Sequence, residues 1–130
     1  MKVKEHQDLH SFLELVTPYL VLDEAQNNLL LGIIHTLKIR KTTHKLLLTI
    51  EDNHKLEGVA LQTQGHGLVL SPISKNYIEA LVGFLRGNFF PSFVGEKRTC
   101  EAVVNAWQVM THEKFSLAMD QGRIVKDSTN

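Results

Sequence analysis

Chemistry in this sequence would have to rest on seven histidines, a single cysteine and one loop bracketed by glycines. His6 and His10 stand four residues apart, the spacing of two ligands on one helix face. A usable metal site needs a third donor brought in by the fold, and the sequence names none. The pair is therefore expected to be solvated, with no metal bound. Cys100 would need a base beside it to act as a nucleophile. His112, the nearest in sequence, is twelve residues on, more than three helical turns away. Cys100 also shares an apolar stripe with Val103, Val104 and Trp107, which predicts a small core residue. Gln62-Thr63-Gln64-Gly65-His66-Gly67 could bring backbone amides close to an anion. Such a cradle works when a helix begins at it, so that the helix dipole backs the amides. Here Leu68-Val69-Leu70 follows, which predicts a strand, and the loop is expected to be a hairpin turn.

Several elements must position these residues. Leu9, Phe12, Leu13 and Val16 recur at helical spacing behind Asp8, a suitable cap, and Pro18 lies near the end of the run. Asp23 is expected to cap a second helix through Ala25, Leu29, Leu30, Ile33, Ile34 and Leu37, whose apolar arc is wide enough to be buried on more than one side. Leu46 to Ile50, Leu56 to Thr63 and Leu68 to Leu70 are short and apolar, separated by turns at 51–54 and 64–67, and so predict an antiparallel meander ending at Pro72. Ser74 is placed to cap a third helix with Ile78, Leu81, Val82 and Leu85 on its apolar face and Gly87 as its stop. Phe93-Val94 predicts a short strand before Gly95. A fourth helix carries the Cys100 stripe, and Phe115, Leu117 and Met119 alternate as a last strand.

Composition excludes several classes. At 130 residues the chain is long enough to bury a core without disulfides, and a lone cysteine cannot form one internally. Fourteen basic and fourteen acidic side chains cancel, leaving no field to concentrate nucleic acid. The one basic cluster, Lys38, Arg40 and Lys41, follows an apolar helical stretch, where cations complement the helix dipole. No apolar run is long enough to cross a bilayer, and no apolar signal core follows the charged amino terminus. Neither nucleic acid nor membrane is expected as a partner, and the cytoplasm is the expected compartment.

At the second helix a resemblance becomes specific. Glu24-Ala25-Gln26-Asn27-Asn28-Leu29-Leu30-Leu31-Gly32 resembles a stretch in the amino-terminal half of a group of bacterial GNAT-family N-acetyltransferases, and Phe12 to Leu20 is similar to the helix before it. Glu57 to Leu61, Leu68 to Pro72, Phe93-Val94-Gly95 and Ala102 to Trp107 fall in the same group's order. Gln62 to Gly67 also has the written form of that superfamily's acyl-coenzyme A loop, Q-x-x-G-x-G, but between two strands.

The resemblance implies an α/β, GNAT-like fold of the mixed α+β kind, with a central, largely antiparallel sheet flanked by about four helices. It would occupy residues 1–125 as one amino-terminal domain, leaving 126–130 as a polar tail. In the superfamily the pyrophosphate loop lies between the fourth strand and the third helix. With Met1 to Glu5 as an edge strand, the equivalent segment is Ser71-Pro72-Ile73-Ser74-Lys75-Asn76, which lacks glycine and loses one donor at Pro72. No catalytic residue is carried over. Acetyl-coenzyme A is the family's cofactor, but the domain alone is expected to bind none, with Ser74, Lys75 and Asn76 as the candidate contacts. Glu24, Asn27 and Asn28 are the candidate substrate or interface residues, because amides on an apolar helix are costly unless they find partners; structural helix bonds are the plainer account. The expected function is an accessory domain of an N-acetyltransferase, working with a carboxy-terminal acetyltransferase domain or a second copy of itself. A stand-alone acetyltransferase with a degenerate coenzyme loop and a non-enzymatic interaction module are the alternatives.

Overall fold

The computed structural model describes residues 1–39, 43–117 and 123–126. Asp8 has extended backbone and accepts the Ser11 amide at 3.0 Å, so the first helix, α1 (Leu9–Leu20), starts at its expected cap. It runs two residues past Pro18, which has no amide to give the carbonyl of Glu14 one turn back.

The second helix starts later than its apolar spacing suggested. A 3₁₀ turn at Val21–Asp23 and a further turn over 24–27 precede α2 (Asn28–Ile39). Asp23 supports this corner by accepting the Gln26 amide at its side chain, at 3.4 Å, and the Asn27 amide at its carbonyl. Asn27 then accepts the Leu31 amide at its own carbonyl and donates its side-chain amide to Leu20 O at 3.1 Å. One buried asparagine therefore closes the end of α1 and opens α2, which is why the chain turns before it coils again. Lys38 lies in the last turn of α2; Arg40 and Lys41 lie outside the described residues.

The meander is present. β2 (His44–Asp52) and β3 (Lys55–Thr63) meet at Asn53-His54, both with positive φ, the primed two-residue turn whose twist suits a hairpin. β4 (Leu68–Leu70) completes it. After a 3₁₀ turn at Lys75–Tyr77 come α3 (Ile78–Leu85), β5 (Ser92–Val94), α4 (Lys97–Thr111), β6 (Phe115–Leu117) and β7 (Arg123–Lys126). Ser74 flanks the 3₁₀ turn without a side-chain cap, and the Tyr77 amide bonds its carbonyl instead. β1 (Lys2–Glu5) pairs with β2 at one edge, and the strands lie in the order β1-β2-β3-β4-β5-β7-β6. Among the described strands only the β4–β5 contact is parallel. The expected last strand is β6; β7, inserted between it and β5, was not foreseen and ends at Lys126, one residue into the expected tail. Met119 and residues 127–130 lie outside the described residues.

Because side chains alternate across a strand, the sheet has two cores. Leu47, Val59, Leu61 and Val69 face α1 and α2, where Phe12, Val16, Leu20, Leu30 and Ile34 are buried. Leu48, Ile50, Leu68 and Leu70 face α3 and α4. There Leu81 is 0% exposed, and Trp107 stands edge-on to Phe90 and Phe93 at 5.7 and 5.8 Å while its indole donates to Glu113 at 2.8 Å. The result is a mixed, largely antiparallel sheet with two helices on each face.

Candidate ligand cleft

A cleft of about 1140 Å³ runs along the α2 face of the sheet where β4 and β5 lie parallel. The spacing of α2 puts Asn28, Gly32 and Thr36 in one row above it, while Leu61, Val69 and Val94 form its floor. α2 packs on β4 and leaves Val94 of β5 only half-buried, so the sheet is wider here than its cover. Gly32 adds to the opening, since a side chain there would meet nothing within 4 Å.

Two glycines hold the parallel pair at its ends. A Cβ on Gly67 would lie 2.0 Å from Ser92 Oγ and 2.5 Å from its carbonyl oxygen, so only glycine lets the start of β4 pass β5 this closely. Gly95, with φ of +156°, brings its Cα against Leu70, where a Cβ would stand 2.7 Å from the carbonyl oxygen. The rest of the glycine loop is a turn: Gly65 is left-handed, the His66 amide bonds Thr63 O, and Gln62 donates its side-chain amide to His66 O at 2.8 Å. As expected, Gly65 and Gly67 lie in a strand-to-strand turn and not at a helix start; the packing of Gly67 on Ser92 is an addition of the tertiary structure.

Both chain segments leaving the parallel strands depend on Thr99. Its hydroxyl accepts the Ile73 amide at 3.0 Å and donates to Glu96 Oε1 at 3.0 Å. The Glu96 carboxylate, at the start of α4, is thereby fixed on the wall of the cleft. On the β4 side the Ser71 amide bonds Val59 O, its hydroxyl accepts the Val59 amide, Pro72 has no N–H, and the Ile73 amide is the one Thr99 takes. Tyr19 also hydrogen-bonds Ser71; burial, and then the nearby Glu57, raise its phenol above the usual range. The backbone of this segment is thus turned into the protein as far as Ile73. Ser74, Lys75 and Asn76 are exposed beyond it, and Tyr77 donates to Asp52 at 2.9 Å, which raises the phenol's titration.

The structure separates the residues that sequence had grouped. Asn28 lies on the cleft rim; Glu24 is exposed in the corner before α2. Asn27 is 4% exposed, and its Oδ1 is buried with no donor among the described residues. His10 is exposed and pairs with Glu14 at 3.0 Å, but His6 is not solvated as expected. Its ring packs on Phe12 and its Nε2 lies 2.7 Å from Thr49 Oγ1, because β1 ends against the α1 face of β2. Burial, with Lys4 adding to it, lowers the His6 pKa. Among the described residues no three His, Cys, Asp or Glu side chains converge. Cys100 is fully buried on the opposite face, its thiol pushed up to about 12 by burial. Sequence reasoning missed Glu96, Thr99 and Ser92. The available signal was a glycine and a carboxylate at the junction of strand and helix, with a hydroxyl three residues on.

No family model, curated protein or solved structure matches the chain.

Proposed function

We propose that this chain is an acetyltransferase-like domain related to the GNAT superfamily, serving as the accessory amino-terminal part of an acetyl-coenzyme A-dependent N-acetyltransferase and not catalytic alone. The observation that carries this reading is an asymmetry about the parallel strands. An open cleft lies on the α2 side, with Asn28 and Gly32 of the family-like stretch on its roof. The β4-to-α3 segment, where the superfamily holds pyrophosphate, has spent the Ser71 and Ile73 amides internally and lacks one at Pro72. A domain of this kind contributes an acceptor pocket or an interface and relies on a carboxy-terminal acetyltransferase domain, or on a second copy, for the coenzyme.

Calorimetric titration with acetyl-coenzyme A tests it. Binding no tighter than about millimolar is expected, since the contact that remains is an exposed one with Lys75, worth about 1 kcal/mol at most. Micromolar affinity, with amide shifts at Ser74 to Asn76, would replace this reading by the stand-alone acetyltransferase. The exposure of those three residues at the start of α3 is what favours that alternative.

A further inference from the structure

We infer that the cleft selects a ligand with an apolar body and a cationic head, and that Glu96 is the residue that makes the selection. Among the described residues its lining holds no lysine or arginine, and Glu96 is its one carboxylate. An anionic head would therefore meet a carboxylate and, among the described residues, no lysine or arginine, with His66 the lining's one other titratable side chain. The position of α4 strengthens this: Glu96 stands where a helix start would otherwise attract an anion, so the protein's own carboxylate occupies that field.

Glu96 is also held in place. The Ile73 amide donates to Thr99, which donates to Glu96 Oε1, so the carboxylate is tied from one side by a buried hydroxyl that is itself tied to the backbone. A fixed carboxylate loses little freedom when a cation arrives, which turns a weak surface attraction into a selective one. The apolar body has matching walls. Leu29 and Ile33 on α2 face Leu61, Val69 and Val94 on the sheet, and the open space above Gly32 admits an unbranched chain between them. Thr99 is a positioning residue in this arrangement, since it acts through Glu96.

The inference rests on reading the cleft as an acceptor site but needs no coenzyme, so its test is independent of the acetyl-coenzyme A titration and either can fail alone. Hexylammonium, hexanoate and hexanol, probes with one apolar body and three head groups, are titrated against the ¹⁵N-labelled chain. Hexylammonium is expected to shift the amides of Gly32, Gly67, Gly95 and Glu96 and to bind about tenfold or more tighter than hexanoate, the size of one charge-assisted contact. Glu96→Gln should remove that preference, bringing hexylammonium and hexanoate to within about twofold of each other. Gly32→Leu, at a helix position where a side chain meets no obstacle, should keep the fold and abolish binding of all three. Equal or tighter binding of hexanoate, a preference that survives Glu96→Gln, shifts that map elsewhere or survive Gly32→Leu, or no shifts with hexylammonium would each overturn the inference.

Discussion

Two crossings leave the parallel strands at the same end of the sheet, and they end in opposite conditions. From β4, residues 71–73 turn inward, and the amides of Ser71 and Ile73 find acceptors within the protein. From β5, Gly95 and Glu96 turn outward onto the cleft. Both conditions depend on one hydroxyl, because Thr99 accepts a hydrogen bond from the amide of the sealed crossing and donates one to the carboxylate of the open one. Closure on one side and preorganisation on the other are therefore a single construction. A helix start becomes an anion site only if its amides remain unspent, whatever its position in the topology.

The largest effect is expected from removing what anchors the sealed crossing. Leu81 of α3 is fully buried against the sheet, so Leu81→Ala should cost about 2 to 5 kcal/mol through lost burial and the cavity left behind. A chemical denaturation midpoint equal to that of the parent chain would contradict this placement of α3.

A smaller effect should follow from cutting the shared link. Thr99→Val leaves the buried Ile73 amide without an acceptor, at a cost of about 1 to 3 kcal/mol, and frees Glu96 as well. Hydrogen exchange at Ile73 should accelerate, and the ammonium preference of the cleft should fall without reversing; Thr99→Ser should restore both. Unchanged exchange at Ile73 would mean that the two crossings are independent.

The smallest effect tests whether the far edge of the sheet, where β1 ends, stands apart from this linkage. His6, beside Lys4 and Glu51 and bonded to Thr49, has a folded pKa below the ordinary 6.5. As pH falls below 6.5 the unfolded chain takes up a proton that the folded chain resists, so this contribution is complete above 6.5 and is lost as pH falls through the folded value. Urea denaturation between pH 7.5 and 5.5, a range chosen about the ordinary histidine pKa, should show a decline that His6→Asn reduces, with no change at Ile73 or Glu96. An identical pH profile in the variant would remove His6 as the cause.

Local order was legible wherever one residue type has one local physical role. Asp8 caps α1 because a short carboxylate reaches an amide three residues on. The stripes of α3 and α4 are buried as their spacing predicted, and Gly87 has the positive φ expected of a helix stop. Asn27 and Asn28 were legible as a pair worth attention, but their division of labour was not. Asn27 bonds back to Leu20 inside the corner while Asn28 faces the cleft, and the register of α2 decides which is which. His6 was misread because its partner, Thr49, is forty-three residues away in sequence.

Periodicity and capping thus determined where the chain coils, where it extends and which side chains seek the core, because those preferences act over a few residues. The insertion of β7 between β5 and β6, the close approach of Gly67 to Ser92, and the use of Thr99 to seal one crossing and aim the carboxylate of the other were decided only by the tertiary structure. Each depends on backbone groups distant in sequence that share one bond or one van der Waals contact. No local preference encodes such a meeting, since the energy that selects it is released only when both segments are already in place.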